Sequence, residues 1–188
     1  IIAAGANPVF VDTREHGFGA DPDSVRERVT PRASALIDIP MWGYPTEVDE
    51  LRGLADSLDL KLILDLAHSH GSTLHGRHLS SYGHLSCFST HERKPLATGE
   101  GGFLLTDDAE LAERCRSYSR FGNLNGADFG LNYKLAALPA VAQRRRQRGQ
   151  LVVEAEVRAV EVPEAAVGAA ALGELGVVGQ QEAALAGG

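Results

Sequence analysis

Short apolar runs alternate with amphipathic stretches through the first 134 residues. Pro8-Val9-Phe10-Val11-Asp12 is one such run, ending on an acid, and Ala35-Leu36-Ile37-Asp38-Ile39 is another, stopped by Pro40. Lys61-Leu62-Ile63-Leu64-Asp65, Leu85-Ser86-Cys87-Phe88-Ser89 and Gly102-Phe103-Leu104-Leu105-Thr106 complete a set of expected strands. Between them, Asp21-Pro22-Asp23 predicts a helix to about Val29, with Asp at the cap and Pro inside the first turn. Thr46-Glu47-Val48-Asp49 predicts the start of a second helix, with Leu51, Leu54, Ala55 and Leu58 at helical spacing. A third is expected from Asp107 to about Ser119. Short strands separated by helices predict an α/β fold, a mostly parallel sheet sandwiched by helices. Ligands of such sheets sit at the carboxyl ends of the strands, where Asp65 and Ser89 fall.

Composition divides the 188 residues near position 135. From Leu135 to Gly188 only Ala, Val, Leu, Gly, Glu, Gln, Arg and Pro occur, all of which can be written with codons beginning in G or C. Two readings follow for residues 141–188: a frameshifted or disordered end, or an Ala-rich helical linker. Residues 1–140 are then expected to form the folded domain. The opening Ile1-Ile2-Ala3-Ala4-Gly5, without Met, reads as the start of a fragment. A net charge of −7 argues against nucleic acid or an anionic membrane as the main partner, and no run approaches the length of a membrane span. The run Arg144-Arg145-Arg146-Gln147-Arg148 lacks interleaved aromatics and reads as a solvated charge run. Two cysteines, Cys87 and Cys115, suit a reduced, cytoplasmic protein rather than a disulfide scaffold.

Lys94 follows Ser89 by five positions and precedes the glycine-rich Thr98-Gly99-Glu100-Gly101-Gly102. A lysine held in a dry pocket after a buried strand can form a Schiff base with an aldehyde cofactor, although a solvated surface amine is the plainer reading of a lone lysine. Ser89, at a strand end near backbone amides, suits a phosphate. Asp65 suits pairing with a pyridinium nitrogen, or else it caps the turn that follows. Six of the seven histidines lie between His68 and His91, which leaves open a metal-dependent hydrolase, but no paired ligand spacing of a zinc site appears.

Asp65 with Ala67-His68-Ser69-His70-Gly71, then Cys87-Phe88-Ser89, Lys94 and the glycine-rich turn, resembles the DegT/DnrJ/EryC1/StrS aminotransferases. The likeness includes Ala4 to Asp12, Trp42 to Asp49, Arg120-Phe121-Gly122 and Gly130-Leu131-Asn132-Tyr133-Lys134, so it covers about residues 1–140. The resemblance implies the fold type I large domain and pyridoxal 5′-phosphate (PLP) as cofactor. Lys94 would form the internal Schiff base and shuttle the substrate proton, and Asp65 would pair with the pyridine nitrogen. His68 would contact the 3-hydroxyl, Ser89 the phosphate, and Asn132 the phosphate of the neighbouring subunit's cofactor. The implied reaction passes an amino group from an amino acid, typically glutamate, to a keto-sugar nucleotide or cyclitol in a cytoplasmic homodimer. The family's upstream segment and its C-terminal small domain are expected to be missing from these residues, so a catalytically inactive fragment is an alternative.

Overall fold

In the computed structural model, residues 1–122, 130–133 and 176–179 are described. The elements in chain order are β1 (Pro8–Val9), α1 (Pro22–Arg28), β2 (Ala33–Asp38), α2 (Val48–Ser57), β3 (Lys61–Asp65), β4 (Thr73–Leu74), β5 (Arg77–His78), β6 (Leu85–Ser89), β7 (Gly102–Leu105), α3 (Ala109–Tyr118) and β8 (Gly176–Gly179). Six strands form one sheet in the order β1-β8-β2-β3-β6-β7, while β4 and β5 pair as a separate hairpin. Every pairing in the large sheet is parallel except β6 with β7. The expected α/β architecture is therefore present.

The two-residue period of the strands sorts their side chains to opposite faces. Leu36, Leu62 and Leu64 join Val25, Val48, Leu51, Leu54 and Ala55 in one buried cluster, which seats α1 and α2. Ala35, Ile63, Leu85 and Leu104 face the other way and pack with Cys115 of α3. Apolar residues on both faces are what a buried parallel sheet requires.

The local signals account for most boundaries. Asp21 caps α1, accepting from the Asp23 amide, with Pro22 at the first helical position. Asp108 caps α3 by accepting from the amides of Glu110 and Leu111, one residue later than the expected start at Asp107. The first strand is shorter than expected, ending at Val9, because beyond it the chain pairs only through an isolated bridge from Thr13 to Ala20. β8 comes from the compositionally biased tail and lies between β1 and β2, parallel to both. The run Arg144–Arg148 and the rest of residues 141–175 lie outside the described residues.

Thr46 does not cap α2; Glu47 occupies the cap position with no side-chain cap bond. The Thr46 hydroxyl instead donates to Asp38 Oδ2 at 2.6 Å, and the Ala20 amide donates to Asp38 Oδ1 at 2.8 Å. Asp38 is fully buried at the end of β2, so it ties the strand terminus to the entry of α1 and to the loop before α2. The space is tight: a Cβ at Gly19 would lie 2.4 Å from Thr46 Cβ. Burial pushes the Asp38 carboxyl above its ordinary value of 3.8, only partly opposed by the bonds from Thr46 and Ala20.

A raised carboxyl pKa means that the native state holds this proton more tightly than the unfolded chain. Stability is accordingly expected to fall as pH rises from just above 3.8 through the raised value. Asp38→Asn should flatten that slope in denaturant unfolding followed across acidic pH. Asp38→Ala orphans the Ala20 amide and the Thr46 hydroxyl, and should cost about 1–3 kcal/mol at all pH values.

Candidate active site

Parallel pairing brings the ends of β2, β3 and β6 to one edge of the sheet. Asp65, the last residue of β3, is in register with Cys87 of β6. Ser89 ends β6 two residues later, and Lys94 follows on the next loop. The expected grouping at the carboxyl edge is thus realised by adjacent strands. The half-buried Asp65 accepts from the Ala67 amide through Oδ1 at 3.0 Å, the turn-capping bond expected of it. The Leu66 amide reaches across to the Cys87 carbonyl at 2.8 Å and fixes this turn against β6.

The loop carrying Lys94 is closed on itself. The buried Thr90 donates its amide to the Gly101 carbonyl and accepts the Thr98 amide at its own carbonyl, at 2.8 and 2.9 Å. Their side-chain hydroxyls meet at 2.9 Å, and Leu96 is buried beneath the loop. Gly99 (φ 100°) and Gly101 (φ 139°) take backbone conformations that side-chain-bearing residues avoid. Within this frame the Lys94 amide donates to the His91 carbonyl at 2.9 Å, and Lys94 is half-buried. Ser89 Oγ accepts from the His91 amide at 3.2 Å, so its own proton is available to an anion.

His70 belongs to the same site and was not singled out from sequence beyond its place in the motif. Its ring stands edge-on to Phe88, 5.3 Å between centroids, and Phe88 stacks on Phe103 at 4.7 Å. Burial lowers its pKa, with the nearby charges of Lys94 and His68 acting in the same direction. These interactions place His68, His70 and Lys94 in one neighbourhood. Both ring nitrogens of His70 are buried, and the Ser89 backbone at the end of β6 is the polar group that faces the ring, opposing the lowering of its pKa. Asn132 is held elsewhere: it bridges to Arg120, and the flanking Leu131 and Tyr133 amides donate to Tyr118 and Ser119 at the end of α3.

The remaining histidines disperse. His84 precedes β6 at the opposite edge, where Nδ1 accepts the Leu62 amide at 2.9 Å and Nε2 lies 3.1 Å from Asp56. His75 lies against Asp49 and His91 against Glu100, at 3.6 and 3.5 Å. Among the described residues no three His, Cys, Asp or Glu side chains converge as a metal site. A hydrolase built on the His68–His91 cluster therefore has no support among the described residues: His84 is carried to the opposite sheet edge, and His75 and His91 each lie against a single carboxylate.

Residues 1–151 match the profile of the DegT/DnrJ/EryC1/StrS aminotransferase family. The chain belongs to that family. It is 35% identical over 150 residues to the dTDP-3-amino-3,4,6-trideoxy-alpha-D-glucose transaminase of Streptomyces venezuelae, covering 78% of this chain and 40% of that one. Among solved structures, DesI in the presence of its TDP-sugar product is 37% identical with a TM-score of 0.72, over 80% of this chain and 39% of that one. NtdA from Bacillus subtilis, solved with bound cofactor PMP, is 27% identical with a TM-score of 0.70, over 78% of this chain and 34% of that one. This chain thus spans about a third to two fifths of the length of these relatives. The family's cofactor is PLP, and the large domain is of fold type I.

The donor set at the β3–β6 edge suits that group: a carboxylate, a primary amine and a free hydroxyl proton, with the half-buried His70 imidazole beside them. Cys87, beside Asp65, stays a thiol. Desolvation, with the Asp65 charge adding to it, pushes its pKa up to about 12. Iodoacetamide at pH 8 should therefore leave Cys87 unmodified in the native protein and label it after unfolding in guanidinium, as read by peptide mass. Native labelling at Cys87, which is partly buried, would show that its thiol ionises more readily than this.

Proposed function

We propose that the protein is part of a PLP-dependent aminotransferase acting on a nucleotide-activated keto-sugar, or a related cyclitol, with glutamate as amino donor. The observation that carries this reading is the shared edge at which Asp65 ends β3, Ser89 ends the paired β6 and Lys94 follows on the next loop. Supporting it are the relatives, whose names are those of transaminases and aminotransferases of nucleotide sugars.

When bound, the cofactor supplies an aldehyde for covalent capture of amines and a ring that withdraws electrons from the substrate carbon. Lys94 would hold the cofactor through its Nζ, and its amine is the base that would move the substrate proton. The closed 90–101 loop limits the excursions of that amine, which is what proton transfer at short range demands. Asp65, fixed by the Ala67 amide, would pair with the pyridine nitrogen and keep it protonated. Ser89, whose Oγ accepts from the His91 amide, would donate its hydroxyl proton to the phosphate, and His68 would contact the 3-hydroxyl. Asn132, tied to the end of α3 rather than to the β3–β6 edge, serves the phosphate of a partner subunit in a homodimer. The free thiols of Cys87 and Cys115 suit a cytoplasmic setting.

The chain has three lysines, Lys61, Lys94 and Lys134, so the capture site is readily mapped. Incubation with PLP and reduction with borohydride should add the phosphopyridoxyl mass to the Lys94 peptide, and Lys94→Ala should abolish it. In a full-length parent, the same substitution should slow the amino-donor half-reaction by about 10²–10⁴-fold or more. Asp65→Asn should leave the mass tag in place but slow that half-reaction. A tag spread evenly over the lysines, or its absence, overturns the reading.

A further inference from the structure

Phe18, Trp42 and Tyr44 form an exposed aromatic cluster, at 42%, 64% and 62% accessibility, contributed by two separate loops. Phe18 stands edge-on to both partners, with centroids 5.0 Å from Trp42 and 5.6 Å from Tyr44. Trp42 also holds a left-handed backbone (φ 52°, ψ 24°), an unfavourable conformation for a bulky residue and one that recurs at ligand-binding positions. The strained turn is anchored to the site described above. The Ser69 hydroxyl donates to the Pro40 carbonyl, and a Cβ on Gly43 (φ 84°) would come within 3.1 Å of Ser72 Oγ. The ring cluster therefore rides on the loop after β2, fastened to the loop after β3 that carries His68.

We propose that Phe18, Trp42 and Tyr44 are a stacking platform for the nucleobase of a nucleotide-activated substrate. The inference rests on the reading that the site handles such a sugar, and it names which side chains take the base. Flat bases stack on exposed aromatic faces with little regard to identity, which suits a cluster without a buried polar reader. The sheet order sets the reach. Loops after β2 and β6 are two strand spacings apart, about 10 Å, a gap that a ribose and diphosphate linker spans. The exposed guanidinium of Arg93 follows β6, so the diphosphate would run toward positive charge. The pyrimidine carrier named for two relatives makes thymine the base to test.

Trp42 is the only tryptophan in the chain, so its emission reports this loop alone. Titration of the full chain with dTDP should quench it saturably, whereas inorganic pyrophosphate should not. Phe18→Ala and Tyr44→Ala keep the reporter and should each weaken dTDP binding by about tenfold. Trp42→Phe, which retains a ring, should preserve binding by calorimetry, and unchanged far-UV circular dichroism confirms folding of all three variants. Absence of a dTDP response overturns the platform, as does equal quenching by pyrophosphate. Emission that shifts with protein concentration instead of dTDP also overturns it, and identifies a second copy of the chain as the occupant. Borohydride mapping on the same preparation separates the two readings. A tag at Lys94 with silent Trp42 removes the platform alone, and saturable quenching without a tag removes the cofactor reading alone. Loss of both signals removes both.

Discussion

The parallel pairing of β2, β3 and β6 is the constraint on which the rest depends. Parallel strands must be joined by crossovers, so each loop leaving the carboxyl edge has to return at the other edge before the next strand begins. The crossover through α2 carries the chain from the Trp42 loop back to Lys61, and the hairpin β4–β5 lies on the way from His68 to His84. Three consecutive loops thereby open onto one side. The single antiparallel partner, β7, has the complementary effect: it returns directly from the edge, setting Gly102 opposite Ser89 and closing the intervening loop around Lys94. One sheet topology thus supplies both the shared edge and the tight loop.

Two acids end neighbouring strands on that edge, and burial separates their roles. Asp38 is fully enclosed, with both oxygens engaged by Ala20 and Thr46, so it lies out of a ligand's reach. Its work is to fix the loops that flank β2. Asp65 is only half-buried, and among the described residues its recorded bond uses a single oxygen. A carboxylate positioned by one backbone amide and still accessible is the one suited to meet a cationic ring nitrogen. The thiol beside it, desolvated and neutral, adds no competing charge.

Legibility in the sequence followed the range of the deciding interaction. Lys61–Asp65 and Leu85–Ser89 form strands over the expected residues, because their apolar side chains fill both faces of the sheet wherever they pair. The caps at Asp21 and Asp108 are local and were readable to within a residue. The start of α2 was legible in Thr46-Glu47-Val48-Asp49, but the hydroxyl of Thr46 is engaged by the buried carboxylate of Asp38, eight residues away, a tie that no local pattern marks. The histidines between 68 and 91 looked like one cluster, and a crossover sends His84 to the far edge. Asp65, Ser89 and Lys94 were legible as a set because a linear motif spans them. The aromatic cluster was not: Phe18 joins Trp42 and Tyr44 only through folding, and no spacing in the chain announces it.

The sheet also divides into a part that builds the site and a part that completes the layer. β1 and β2 do not pair with each other; β8, from beyond the 1–151 family match, lies between them, Leu36 and Val9 both facing Val178 in register. Four residues bounded by glycines carry no two-residue pattern that would mark Gly176–Gly179 as a strand, so its place was illegible. Its backbone bonds nevertheless link β1 to the rest of the sheet. The carboxyl-edge site does not share that dependence. Asp65, Ser89 and Lys94 are set by the β3–β6 and β6–β7 ladders, and the Trp42 loop by β2–β3 pairing and the Asp38 bonds. Every ladder that determines the candidate site therefore lies within the family-matched residues, on the side of β2 away from β8.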